Sequence, residues 1–121
     1  MASILIVDDD DAVLDVLGEM LRYAGHEVAV AKNGIDAGKY VAEGKFDLVI
    51  TDLIMPEKEG LETIGDIRSQ SAQTRIIAIS GGGRVGPNDY LETAKLIGAD
   101  AALAKPFTRQ ELLSAVDSLL D

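Results

Sequence analysis

Four short apolar runs in this 121-residue chain each stop at a polar residue capable of chemistry. Ile4-Leu5-Ile6-Val7 meets Asp8-Asp9-Asp10-Asp11, and Leu48-Val49-Ile50 meets Thr51-Asp52. Ile76-Ile77-Ala78-Ile79 meets Ser80, and Ala101-Ala102-Leu103-Ala104 meets Lys105-Pro106-Phe107. Short continuous apolar runs suit strands covered on both faces, as in parallel sheets. In an open parallel sheet, ligands bind beyond the carboxyl ends of the strands. The pattern therefore predicts one sheet edge carrying several carboxylates, a hydroxyl and an amine. Carboxylates at that density repel one another unless a cation sits among them. The set reads as a metal site around an aspartate, with a hydroxyl and an ammonium ready to hold an anion.

The rest of the chain supplies the frame for that edge. Strands are predicted over 3–8, 27–31, 47–51, 75–79 and 100–104. The first helix carries Val13, Val16, Leu17, Met20, Leu21 and Ala24 at helical spacing and is closed by Gly25. Asn33-Gly34 marks a turn before a helix over 35–43, which carries Ala37, Tyr40 and Val41. Met55-Pro56 breaks the chain, and Gly60 opens a helix with Leu61, Ile64 and Ile67. A glycine-rich loop over 81–86 leads to a helix over 88–97 closed by Gly98. Thr108 and Glu111 have capping-box spacing before a last helix that buries Leu112, Ala115, Val116 and Leu119. Five βα units with right-handed crossovers give an α/β fold, a doubly wound parallel sheet.

Size and composition exclude several classes. The length suits a single domain over 1–121, and no repeat, linker or further domain is visible. With no cysteine, disulfides and thiolate metal sites are excluded. His26, the one histidine, cannot build a histidine-rich zinc site. It is expected as a solvated loop residue at the edge opposite Asp52, and Tyr23, Tyr40 and Tyr90 as packing residues. No basic segment precedes the first apolar run, and no run approaches the roughly 20 residues that cross a bilayer. A cytoplasmic protein without membrane insertion is expected. The net charge of −10 repels DNA, RNA and anionic lipid, so no direct nucleic-acid contact is expected. It favours a cation or a basic partner surface.

Asp52 is the candidate nucleophile, because a carboxylate at the end of a buried run is costly without a purpose. A carboxylate can accept a phosphoryl group as an acyl phosphate. That transfer needs positioning and charge neutralisation more than covalent help. Mg²⁺ suits it, since it takes a few carboxylates plus phosphate oxygens and keeps waters. Asp8 and Asp9 can supply two carboxylates, directly or through water. Lys105 can pair with Asp52 at rest and with a phosphoryl oxygen afterwards, while the Ser80 hydroxyl can bond another. Asp10 and Asp11 fit a simpler role, capping the first helix.

These motifs, in this order and over the whole chain, resemble the receiver domains of bacterial two-component response regulators. They are Ile4-Leu5-Ile6-Val7-Asp8-Asp9-Asp10, Thr51-Asp52-Leu53-Ile54-Met55-Pro56, Ile79-Ser80 and Lys105-Pro106-Phe107. The resemblance implies a flavodoxin-like (βα)5 sheet of order 2-1-3-4-5 and a stand-alone, chemotaxis-type receiver without an output domain. It implies that Asp52 takes a phosphoryl group from a histidine kinase or histidine phosphotransfer protein. It implies Mg²⁺ held by Asp9, Asp52 and the Ile54 carbonyl with Asp8 nearby, and Ser80 and Lys105 as the phosphoryl-sensing pair. Such a chain is a switch for a downstream protein target rather than an enzyme, catalysing only its own phosphorylation and dephosphorylation. Its oligomeric state is left open.

Three positions depart from the family pattern. Ala102 stands where an aromatic is common, so no ring can swing with the hydroxyl. Lys58-Glu59 replaces an apolar residue and Asp, which bears on phosphodonor choice. Ile54, two residues after Asp52, cannot orient a hydrolytic water by hydrogen bonding, which predicts a long-lived phosphoryl state. Two other readings compete. Asp8-x-Asp10 partly matches haloacid-dehalogenase-type phosphatases, with Asp8 as nucleophile and Asp10 as acid/base, but that leaves Asp52 without a role. Gly81-x-Gly83-x-x-Gly86 fits a dinucleotide fingerprint, but it follows the fourth predicted strand and is followed by Pro87.

Overall fold

Ile4, Leu5, Ile6 and Val7 are buried, as are all five residues from Leu48 to Asp52, so both runs are covered on both faces. The computed structural model describes residues 2–44, 46–52, 60–80, 95, 98–105 and 107–120, with 60, 61 and 80 described by backbone alone. The elements are β1 (Ser3–Val7), α1 (Asp11–Tyr23), β2 (Glu27–Ala31), α2 (Gly34–Glu43) and β3 (Leu48–Asp52). They continue with α3 (Gly60–Gln70), β4 (Arg75–Ser80), β5 (Ala101–Ala104) and α4 (Arg109–Leu120). The five strands form one parallel sheet in the order β2-β1-β3-β4-β5. The doubly wound sheet expected from the sequence is thus observed. The expected helix over 88–97, the glycine-rich loop and Met55-Pro56 lie outside the described residues.

Strand alternation divides the core into two layers. Leu5, Val7, Val49, Ile76 and Ala78 pack with Ala37 and Val41 of α2 and with Ile64 and Ile67 of α3. Ile4, Ile6, Leu48, Ile50, Ile77 and Ile79 face the other way, against Leu14, Leu17 and Leu21 of α1 and Leu112 and Val116 of α4. The register pairs Val7 with Thr51, Asp52 with Ile79 and Ser80 with Ala104. The carboxyl ends of four strands are therefore level, and the residues at and just beyond them share one edge.

Several local expectations change. Leu14, not Val16, belongs to the buried face of α1; Val16 is 51% exposed. Leu14 joins the apolar residues of α1, and packing against Ile4, Ile6 and Leu112 selects which of them turn inward. Tyr23 is 83% exposed, with Arg109 stacked 5.2 Å from its ring centroid. Tyr40 is exposed and meets Phe46 edge-on. Tyr90 lies outside the described residues. His26 is half-buried, and its Nδ1 accepts a hydrogen bond from the Ala2 amide. No helix among the described residues is long and apolar enough to cross a membrane.

Candidate functional site

Asp8 follows β1 directly, and its amide donates to the Ala31 carbonyl at the end of β2. It is 2% exposed. Its Oδ1 accepts the Asp10 amide at 2.9 Å, and its Oδ2 lies 3.4 Å from the Lys105 ammonium. Asp52 ends β3 and is 8% exposed, with Oδ2 4.0 Å from Lys105 Nζ. Lys105 is thus shared between the two buried carboxylates and sits nearer Asp8 than the Asp52 pairing expected from the sequence. Asp9 is exposed at the mouth. One carboxylate oxygen from each of Asp8, Asp9 and Asp52 lies within 4.8 Å of the others.

Ser80 ends β4 on the rung beside Ala104, so its backbone lies at the same edge as Lys105. The Ile54 carbonyl, Lys58 and Glu59 lie outside the described residues. Ala102 occupies the middle of β5, opposite Ala78.

Among the described residues, the three carboxylates cluster beside the Lys105 ammonium. Burial pushes the Asp8 carboxyl above its usual range. The Asp10 amide and Lys105 pull it back, and the neighbouring Asp9 charge adds to the rise. The amino end of α1 also points here and favours negative charge. Asp10 is the N-cap of that helix, its Oδ1 accepting the Ala12 amide at 2.9 Å. Asp11 pairs with Lys32 at the surface. Asp10 thus caps the helix, whereas Asp11 stands in its first turn.

The donor set fits a small hard cation. All three side chains offer oxygen, and two of them are buried beside the Lys105 ammonium. Oxygen donors of this kind, with room for water at the exposed Asp9 side, suit Mg²⁺.

A family model, the response regulator receiver domain, matches residues 4–117. The chain belongs to this family. It is 38% identical, over 99% of its length, to the DNA-binding transcriptional regulator NtrC of Azospirillum brasilense, covering 24% of that protein. It is 36% identical, over 97% of its length, to the response regulator MprA of Mycobacterium sp. (strain KMS), covering 50% of it. The chain therefore spans about a quarter to a half of these curated relatives. Among solved structures, the response regulator TrrA of Thermotoga maritima, in complex with Mg²⁺-BeF, is 34% identical with a TM-score of 0.88, covering 99% of this chain and 100% of that one. Nothing in these similarities supports the phosphatase alternative.

Proposed function

We propose that this chain is a phosphorylation-dependent signalling switch whose phosphoacceptor is Asp52. The observation that carries the reading is a buried carboxylate at a strand end, 4.0 Å from an ammonium and clustered with two further carboxylates. An Asp52 carboxylate oxygen attacks the phosphorus of a phosphohistidine on a histidine kinase or histidine phosphotransfer protein. The P–N bond breaks, the imidazole leaves with the electron pair and takes a proton, and an acyl phosphate forms on Asp52. The protein's share of the work is alignment and charge neutralisation.

Asp8, Asp9 and Asp52, with the Ile54 carbonyl, are the residues that would hold Mg²⁺. When bound, the ion would offset the charge on the transferring oxygens. Lys105 turns from its two carboxylate partners to a phosphoryl oxygen, and the Ser80 hydroxyl bonds another. The new group brings up to about two negative charges and three acceptor oxygens. Drawing Ser80 toward it displaces the end of β4. The surface that includes β5 and α4 then shifts between states of different affinity for a downstream protein target. With Ala102 in β5, no aromatic side chain at that position carries the readout.

Borohydride reduction of the phosphorylated protein, followed by peptide mapping, tests the assignment. Reductive labelling at Asp52 is expected; labelling at Asp8 would overturn it.

A further inference from the structure

Asp10 does more in this structure than begin a helix. Its backbone is extended, with φ −94° and ψ 113°, while the next residue is already helical. Its side chain holds that change of direction by accepting the Ala12 amide at 2.9 Å. Its carbonyl accepts the Leu14 amide at 3.1 Å, the first turn of α1. In the reverse direction, its own amide donates to Asp8 Oδ1 at 2.9 Å. Two side chain-to-backbone turns therefore run in tandem, from Asp8 to Asp10 and from Asp10 to Ala12. Leu14 anchors the far side of the link in the core, 4% exposed.

The consequence falls on Asp8. A carboxylate with both oxygens free can rotate, and a cation must then order it on binding. Here Oδ1 is tied by the Asp10 amide and Oδ2 is turned toward Lys105, which also reaches Asp52. We infer that Asp10 is a positioning residue for the metal site, its helix cap fixing the peptide that aims the Asp8 carboxylate. This rests on the Mg²⁺ reading given above. Partners of this kind, one step behind the ligands, orient them and raise affinity. The polarity matters as well: the capping oxygen is needed, and the negative charge of exposed Asp10 is not. Asparagine keeps the oxygen and loses the charge.

Mg²⁺ titration of the whole chain, followed by backbone amide NMR, separates the possibilities. Wild type, Asp10→Ala, Asp10→Asn and Asn33→Ala are compared. Asn33 caps α2 through the Asp36 amide at 2.8 Å, so its loss frays a different helix. The inference expects Asp10→Ala to weaken Mg²⁺ binding roughly tenfold. Asp10→Asn and Asn33→Ala should stay close to wild type. Equal affinity in Asp10→Ala would overturn it. So would an equal loss in Asp10→Asn, which would point to charge, or in Asn33→Ala, which would point to general destabilisation. Absence of Mg²⁺ binding in wild type would overturn the metal reading itself, and this inference with it.

Discussion

Asp8 carries the clearest residue-scale consequence of a site crowded with like charge. Burial raises its carboxyl above the ordinary value of 3.8. The folded protein then holds that proton more tightly than the unfolded chain does. The stability this contributes is full below 3.8 and is lost as pH rises through the folded value. At neutral pH the Asp8 charge therefore opposes folding of the ion-free protein. Asp8→Asn should raise the thermal midpoint in the presence of a chelator at pH 7, and the gain should shrink in acid below 3.8. Added Mg²⁺ should stabilise wild type more than the variant; equal midpoints at pH 7 would contradict this. Ile54 supports a second expectation. An asparagine at 54 can hold a hydrolytic water that isoleucine cannot, so Ile54→Asn should shorten the lifetime of the phosphorylated state. An unchanged decay rate would remove the role given to that side chain. Asp8, Asp52 and Lys105 were legible as candidates, because each follows an apolar run at a strand end. What stayed hidden was the link from Asp10 to Asp8. Its sequence signal is only the two-residue spacing of acids ahead of a helix, which many surface turns share.

Arg68 shows what links the elements at the edge away from the site. Its guanidinium donates to the carbonyls of Ala72, Thr74 and Gly98 and to Asp100 Oδ2. It thereby ties the end of α3 to the approach to β4 and the approach to β5. Gly98 has φ +140°, and a Cβ there would lie 3.3 Å from the Arg68 side chain, so glycine allows the close approach. Arg68→Ala should cost roughly 2–3 kcal/mol in urea unfolding, since several acceptors lose a charged donor. Arg68→Lys should recover only part of it, because a point charge cannot span the fork. Asp100 and Asp47 also mark where periodicity starts two strands one residue early. Both were expected inside strands, yet each stands one residue before one. Asp100 Oδ2 accepts the Ile76 amide and Asp47 Oδ2 accepts the Ser3 amide, so side chains continue the ladder where backbone pairing starts. Apolar periodicity cannot register such a bond. It did locate β1 and β3, whose apolar runs have no competing interpretation. Thr108 and Glu111 form the reciprocal cap their spacing predicted. For α1, periodicity places Val16 rather than Leu14 on the buried face and errs, because the roll of a helix is set by the sheet it covers.

At the scale of the whole molecule, a level sheet edge collects charge that the remainder of the chain does not offset. The net charge of −10 is borne by a receiver domain, and the DNA-binding activity in the name of NtrC belongs to a protein about four times longer. This chain alone should therefore show no retention on DNA at physiological ionic strength, and retention that weakens with salt would contradict that. Its output is expected to be a change in affinity for a protein. The doubly wound parallel sheet was legible in five strand-helix alternations with buried strands, whereas the order β2-β1-β3-β4-β5 followed only from the resemblance to receiver domains. The central claim is that phosphorylation occurs on Asp52 and requires Mg²⁺. Intact mass after incubation with Mg²⁺ and a small acyl-phosphate donor tests it most directly, for wild type and Asp52→Ala. Wild type is expected to gain one phosphoryl group, lost with chelator and absent in Asp52→Ala. An adduct that persists in Asp52→Ala, or steady phosphate release that survives it and disappears in Asp8→Ala, would contradict the account.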